Sequence, residues 1–167
     1  KQGWKQLSTG EWYYVNADGK VNTKKKKTIN GATYYFEMSG IMLQNTTYYD
    51  EKESRYYWIN NNGNLDISTG WKKYHSTGWN NNSWTAWYYV ENGKLVTGEK
   101  KINGIEYCFS GYGRMYESET YYSSDNEKWF LIDENGKKID VSRTGWYQIK
   151  EDGENVWYYF QNGQPYD

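Results

Sequence analysis

The chain has 167 residues, 20% of them aromatic (10 Trp, 20 Tyr and 4 Phe), yet its mean hydropathy is -1.13. Twenty basic against 21 acidic residues leave a formal charge of -1, so bulk electrostatics favour neither nucleic acid nor an anionic membrane as partner. No apolar stretch is long enough for membrane insertion, no signal peptide is visible, and the single Cys108 excludes an internal disulfide framework, so the chain reads as a soluble part of something larger.

Aliphatic residues this sparse would ordinarily predict disorder. Aromatic rings each bury a large area, however, and can build a thin core where Leu and Ile are scarce. Read in chain order, the rings recur in seven units, approximately 3–23, 24–44, 45–69, 70–97, 98–117, 118–144 and 145–167. The first opens on Gly3-Trp4 and continues to Trp12-Tyr13-Tyr14-Val15 and Asp18-Gly19. In the second, Ile29-Asn30-Gly31 leads into Tyr34-Tyr35-Phe36, and the third carries Tyr48-Tyr49, Tyr56-Tyr57-Trp58-Ile59 and Gly63. The fourth returns to Gly70-Trp71 and Trp87-Tyr88-Tyr89-Val90 before Asn92-Gly93, with an enlarged tip from Ser76 to Trp84. Ile102-Asn103-Gly104 with Tyr107-Cys108-Phe109 marks the fifth, Tyr121-Tyr122 with Trp129-Phe130-Leu131-Ile132 the sixth, and Gly145-Trp146 with Trp157-Tyr158-Tyr159-Phe160 the seventh. One offset relates the second cycle to the first, since 103 − 30, 121 − 48 and 136 − 63 all equal 73, which makes a three-unit super-repeat.

Each unit predicts a β-hairpin. Asn30-Gly31 and Asn103-Gly104 are tight-turn pairs because both residues tolerate positive φ, and the remaining Asp-Gly and Asn-Gly pairs mark links into the next unit. No window sustains a 3.6-residue apolar period, so helix is nearly absent. The expected fold is all-β, an elongated solenoid of stacked β-hairpin repeats forming one monomeric module.

Alternation along the second strand of each unit separates two columns. Tyr13 and Val15, Tyr34 and Phe36, Tyr57 and Ile59, and their later counterparts carry no polar exception, as a core requires. The other column holds Trp12 and Tyr14, but also Thr33 and Glu106, and is expected to face solvent or a groove. Its rings suit stacking on sugars or caging of a quaternary ammonium, and they equally suit sealing one hairpin against the next.

These motifs resemble the choline-binding or cell-wall-binding repeats of Gram-positive surface proteins, with Gly-Trp, a short turn, Trp-Tyr-Tyr-Phe and an Asp/Asn-Gly link. Similar repeats form glucan-binding domains of streptococcal glucosyltransferases and receptor-binding tails of clostridial toxins. The resemblance covers essentially the whole chain and implies a secreted or cell-surface location, with choline-bearing teichoic acid or a polysaccharide as partner. It also implies pockets built from the Gly-Trp ring and first strand aromatic of one hairpin, closed by a tyrosine of the next. Carried over, Trp4 and Trp12 with Tyr35 form one pocket, Tyr48 and Tyr56 with Tyr89 another, and Tyr121 and Trp129 with Tyr159 a third. Whether Tyr48 or Tyr49, and Tyr121 or Tyr122, takes the Gly-Trp role is left open by the differing turn lengths. Lys26 and Glu99 stand in the Gly-Trp position of the second and fifth units, and Trp71 and Trp87 would meet Cys108. Trp79 and Trp84, among the amides and hydroxyls of the enlarged tip, suit a polyhydroxyl ligand.

The sequence points to no catalytic motif. His75 is the sole histidine and has no nucleophile placed by motif. The carboxylates cluster at turns, where Asp stabilises the turn itself, and Asp133-Glu134-Asn135-Gly136 lacks the downstream spacing of a calcium loop. No metal or cofactor is expected. Three functions remain: attachment to a cell-wall polymer, binding of an extended α-glucan, and a structural or protein-interaction stalk.

Overall fold

The computed structural model describes residues 1–77 and 83–166. Seven antiparallel hairpins follow one another, and no helix occurs among the described residues. They are β1 (Gly3–Gln6) with β2 (Trp12–Val15), β3 (Lys26–Ile29) with β4 (Ala32–Tyr35), and β5 (Thr46–Asp50) with β6 (Arg55–Ile59). Next come β7 (Gly70–Thr77), β8 (Ser83–Glu91) and β9 (Lys94–Leu95) in one sheet, then β10 (Gly98–Ile102) with β11 (Ile105–Phe109). Two further three-stranded sheets close the chain: β12 (Glu119–Ser123), β13 (Lys128–Ile132) and β14 (Lys138–Asp140), then β15 (Gly145–Glu151), β16 (Glu154–Gln161) and β17 (Gln164–Pro165).

Turn chemistry explains these hairpins. Asn30 and Gly31 have φ of 49° and 83°, and Asn103 and Gly104 have 49° and 84°, the pair of positive angles that a two-residue hairpin turn demands. Asn92-Gly93 and Asn162-Gly163 do the same between β8 and β9 and between β16 and β17, so these pairs close short hairpins within a sheet rather than only linking units.

The chain divides into two compact units, residues 1–85 with 89–95, and residues 86–88 with 96–167. In the first, hairpins join through backbone bonds, with Met42 N–H donating to Trp12 O (2.7 Å) and Tyr35 N–H to Gly63 O (3.2 Å). Tyr14, Ile29, Phe36 and Met42 form a buried cluster there, with Trp4, Trp12 and Tyr34 packed on it. In the second, Met115 N–H donates to Trp87 O (2.8 Å), and Leu131, Val141, Ile149 and Phe160 form the corresponding core, flanked by Trp129 and Tyr147.

The super-repeat is physical as well as textual. Met42 lies against Gly63 and Met115 against Gly136, both pairs again related by 73 (115 − 42 and 136 − 63). Gly136 has φ +78°, and a Cβ there would stand 2.5 Å from the Met115 sulfur. Gly104, at φ +84°, faces open space. Gly136→Ala is therefore expected to destabilise by about 2–4 kcal/mol, combining left-handed strain with overpacking, whereas Gly104→Ala should show about 1–2 kcal/mol of strain alone. Urea denaturation of the two variants checks the difference.

The two-column reading needs correction at its second half. Phe36, Ile59, Val90, Phe109, Ile132 and Phe160 are buried as expected, and Val15 is half-buried. But Tyr14, Tyr35 (6% exposed), Trp58 (3%), Cys108 and Leu131 of the supposed groove column are buried too. The strand ends are covered on both faces. A short third segment pairs along their free edge, as in Phe36 with Met42 and Ile59 with Leu65, and in the first unit Tyr14 packs with Ile29, Phe36 and Met42 beyond it. The first position of that column stays open in every unit, with Trp12, Thr33, Tyr56, Trp87 and Trp129 half-buried and Glu106 and Trp157 exposed, and at the second position Tyr89 and Tyr159 stay half-buried. Tyr34 and Tyr107, assigned to the core, are half-buried.

Candidate ligand-binding groove

Strand register decides which rings can meet. In the first hairpin Trp4 pairs with Tyr14 and Gln6 with Trp12. In the third and sixth, Thr47 pairs with Trp58 and Thr120 with Leu131. The Gly-Trp position there is thus a threonine, and none of Tyr48, Tyr49, Tyr121 or Tyr122 occupies it. Lys26 pairs with Tyr35 and Glu99 with Cys108, so those two do stand where the ring would be.

The first carried-over trio is not assembled as expected. Trp4 meets Tyr14 (5.3 Å between centroids), Tyr34 (4.8 Å) and Phe36 (5.9 Å), while Tyr35 turns to the opposite face and packs on Tyr48 at 4.7 Å. The pleat makes neighbours Tyr34 and Tyr35 point apart. Rings at 4.8 Å touch each other, so Trp4 packs between the first two hairpins. Burial pushes the Tyr35 hydroxyl above its ordinary pKa, followed by the nearby Tyr48.

Tyr48 and Tyr56 are likewise separated. Tyr48 pairs with Tyr57 and Tyr49 with Tyr56, whose rings lie 4.7 Å apart, so Tyr56 and Tyr48 project from opposite faces. Tyr89 packs edge-on to Trp71 at 5.2 Å. Trp84 is exposed on β8 and meets Tyr74 at 5.0 Å, while Trp79 lies outside the described residues. Trp87 is half-buried and Cys108 fully buried, the thiol pushed up to about 12 by burial and by Glu99, which makes it a packing residue.

At the sixth and seventh hairpins rings converge on open space. Trp129 and Tyr159 line one groove of about 910 Å³ together with Trp146, Trp157, Tyr158 and Tyr166, with Thr120, Gln164 and Pro165 at its edges. Tyr121 is not among them. It faces away and packs on Tyr116 at 5.2 Å, and the ring beside Trp129 is Tyr122, 5.4 Å away.

The groove follows from register across three strands. Trp146 on β15 pairs with Tyr159 on β16, and Tyr166 N–H donates to Tyr159 O at 3.0 Å, so three rings form a row across the sheet. Their centroids are 5.2 Å (Trp146 to Tyr159) and 5.9 Å (Tyr159 to Tyr166) apart. Trp157, two residues before Tyr159, projects from the same face. Trp146 is 66% and Trp157 56% exposed, an unusual state for indoles. No charged side chain is among the described residues lining the groove. Trp146, Trp157 and Tyr166 were missed as site residues. The seventh copy of Gly-Trp and Trp-Tyr-Tyr signalled the first two, but Tyr166 follows the last repeat motif and carried no signal.

Residues 2–21 and 27–42 match the putative cell wall binding repeat. The resemblance read from the sequence therefore holds, and it falls on the first two hairpins, where Trp4 and Trp12 sit. Glucosyltransferase-S of Streptococcus mutans serotype c is 29% identical over 157 residues, which is 93% of this chain and 10% of that protein. Glucosyltransferase-S of Streptococcus downei is 31% identical over 96 residues, 58% of this chain and 6% of that protein. The chain thus spans a tenth or less of the length of these curated relatives. Among solved structures, choline binding protein F from Streptococcus pneumoniae, determined in the presence of a peptidoglycan analogue, is 24% identical with a TM-score of 0.42, covering 99% of this chain and 52% of that one.

Proposed function

We propose that this chain is a non-catalytic binding module that holds a cell-surface polysaccharide, and that its groove at Trp129, Trp146, Trp157, Tyr159 and Tyr166 is the principal contact. The single observation carrying this reading is the pair of exposed indoles in an uncharged groove of about 910 Å³. Flat, rigid rings with polar edge groups such as Thr120 and Gln164 suit sugar faces and their hydroxyls, and the volume accommodates more than a single head group. The relatives carry this kind of sequence within much longer enzymes of Gram-positive streptococci, which supports attachment of a larger surface or secreted protein to a glycan. The described residues lining the groove include no pair of carboxylates of the kind glycoside hydrolysis uses.

A second reading is a choline-bearing envelope polymer, favoured by the cell wall binding repeat match at residues 2–21 and 27–42. Titration with a series of malto- and isomalto-oligosaccharides, beside choline, separates the two. Affinity that rises with oligosaccharide length supports the groove as a polysaccharide site. Saturation by choline with competition from other quaternary ammonium compounds transfers the assignment to the cation. Silence towards both overturns the binding reading and leaves the structural stalk.

A further inference from the structure

The fifth and sixth hairpins meet around a buried charge that the ligand groove does not use. Lys138, the first residue of β14, has a side chain only 6% exposed. Its Nζ donates to Glu99 Oε2 at 2.6 Å, lies 3.2 Å from Glu106 Oε2, and sits 4.1 Å from the centroid of the Phe130 ring. The chain offers its own control. In the first cycle, 73 residues earlier, Glu99, Glu106 and Lys138 correspond to Lys26, Thr33 and Leu65, so the two carboxylates and the ammonium are present together in one cycle and absent together from the other. Phe130 corresponds to Tyr57, which keeps the ring.

Glu99 stands in the register position that holds Trp4 or Trp146 in other hairpins. A carboxylate there removes an aromatic wall and, being partly withdrawn from water, requires a cation. We infer that Glu99, Glu106 and Phe130 form an ammonium-binding site which the chain fills from within, Lys138 acting as a tethered ligand. The class of external ligand the vacated site would take is a small primary alkylammonium, since two carboxylates supply acceptors for its N–H groups and Phe130 supplies the ring face. This goes beyond the polysaccharide reading and concerns different residues, so either can fail without the other.

The test replaces the tether. Lys138→Ala should lower the thermal unfolding midpoint by several degrees, and methylammonium or n-propylammonium should raise the midpoint of this variant in a saturable way, at least twofold more than that of the wild type. Adding Glu99→Gln should abolish that gain. Equal responses of Lys138→Ala and wild type to the alkylammonium ions overturn the proposal. A second measurement does not depend on the alanine variant folding. In the intact chain labelled with 15N-lysine, the Lys138 ammonium should give a proton–nitrogen correlation that survives exchange with water at neutral pH. It should be identifiable by its loss in Lys138→Met and displaced in Phe130→Leu as the ring current is removed. Absence of a persistent signal, or one indifferent to Phe130→Leu, sinks the assignment.

Discussion

Phe160→Ala is expected to destabilise the chain by about 3–5 kcal/mol, the largest loss of any single core truncation proposed for this molecule. Phe160 is fully buried with Leu131, Val141 and Ile149, and the Tyr147 ring meets it edge-on at 5.5 Å. Its backbone is pinned on both sides, opposite Gly145 on β15 and Pro165 on β17, so the strand cannot readily shift to fill the hole. The cavity would therefore persist, and the cost should approach the upper end of large-to-small changes. Tyr107→Ala makes the contrast: its ring is only partly buried on β11, and a smaller loss of about 1–3 kcal/mol is expected because part of the ring's area already meets water. Urea denaturation measures both. A Phe160→Ala loss no greater than that of Tyr107→Ala would show that the core is not centred where burial places it.

The contrast between these two residues shows what the sequence did and did not make legible. Seven hairpins could be read because Asn-Gly turns and period-two ring patterns are local. Burial on both faces of a strand end is also written locally, as near-continuous apolar runs such as Tyr57-Trp58-Ile59 and Phe130-Leu131-Ile132. A strict two-column reading passes over them. Register was harder. Aligning ring to ring selected Tyr48 and Tyr121 for pockets, whereas the pairing places Thr47 and Thr120 in the Gly-Trp position and sends Tyr48 and Tyr121 to the other face. Nothing in the first strands fixes that choice, since the strand pairing sets it after turn lengths are resolved. The Lys138 cluster was illegible for a different reason: its partner Glu99 is 39 residues away, and β14 is three residues long with no repeat motif of its own.

Removing the exposed indoles should separate recognition from stability. Trp146→Ala and Trp157→Ala are each expected to weaken binding of a long isomalto-oligosaccharide by roughly 5–30-fold, corresponding to about 1–2 kcal/mol per truncated contact ring. The double variant should lose nearly all measurable affinity. Both rings already face solvent over more than half their surface, so either truncation should change unfolding stability by less than about 1 kcal/mol. Trp4→Ala should behave in the reverse sense, because its ring is packed against Tyr14, Tyr34 and Phe36, and its loss opens a hole between the first two hairpins. Isothermal titration calorimetry is the appropriate readout, since each replacement removes from the ten tryptophans a fluorophore that lines the groove. Trp84→Ala supplies the comparison: its ring is 51% exposed on β8 and lies outside the groove lining. If Trp84→Ala abolished binding while Trp146→Ala and Trp157→Ala left it intact, the contact would lie at the enlarged tip of the fourth hairpin. Wild-type affinity in all three variants would remove the exposed indoles from recognition altogether.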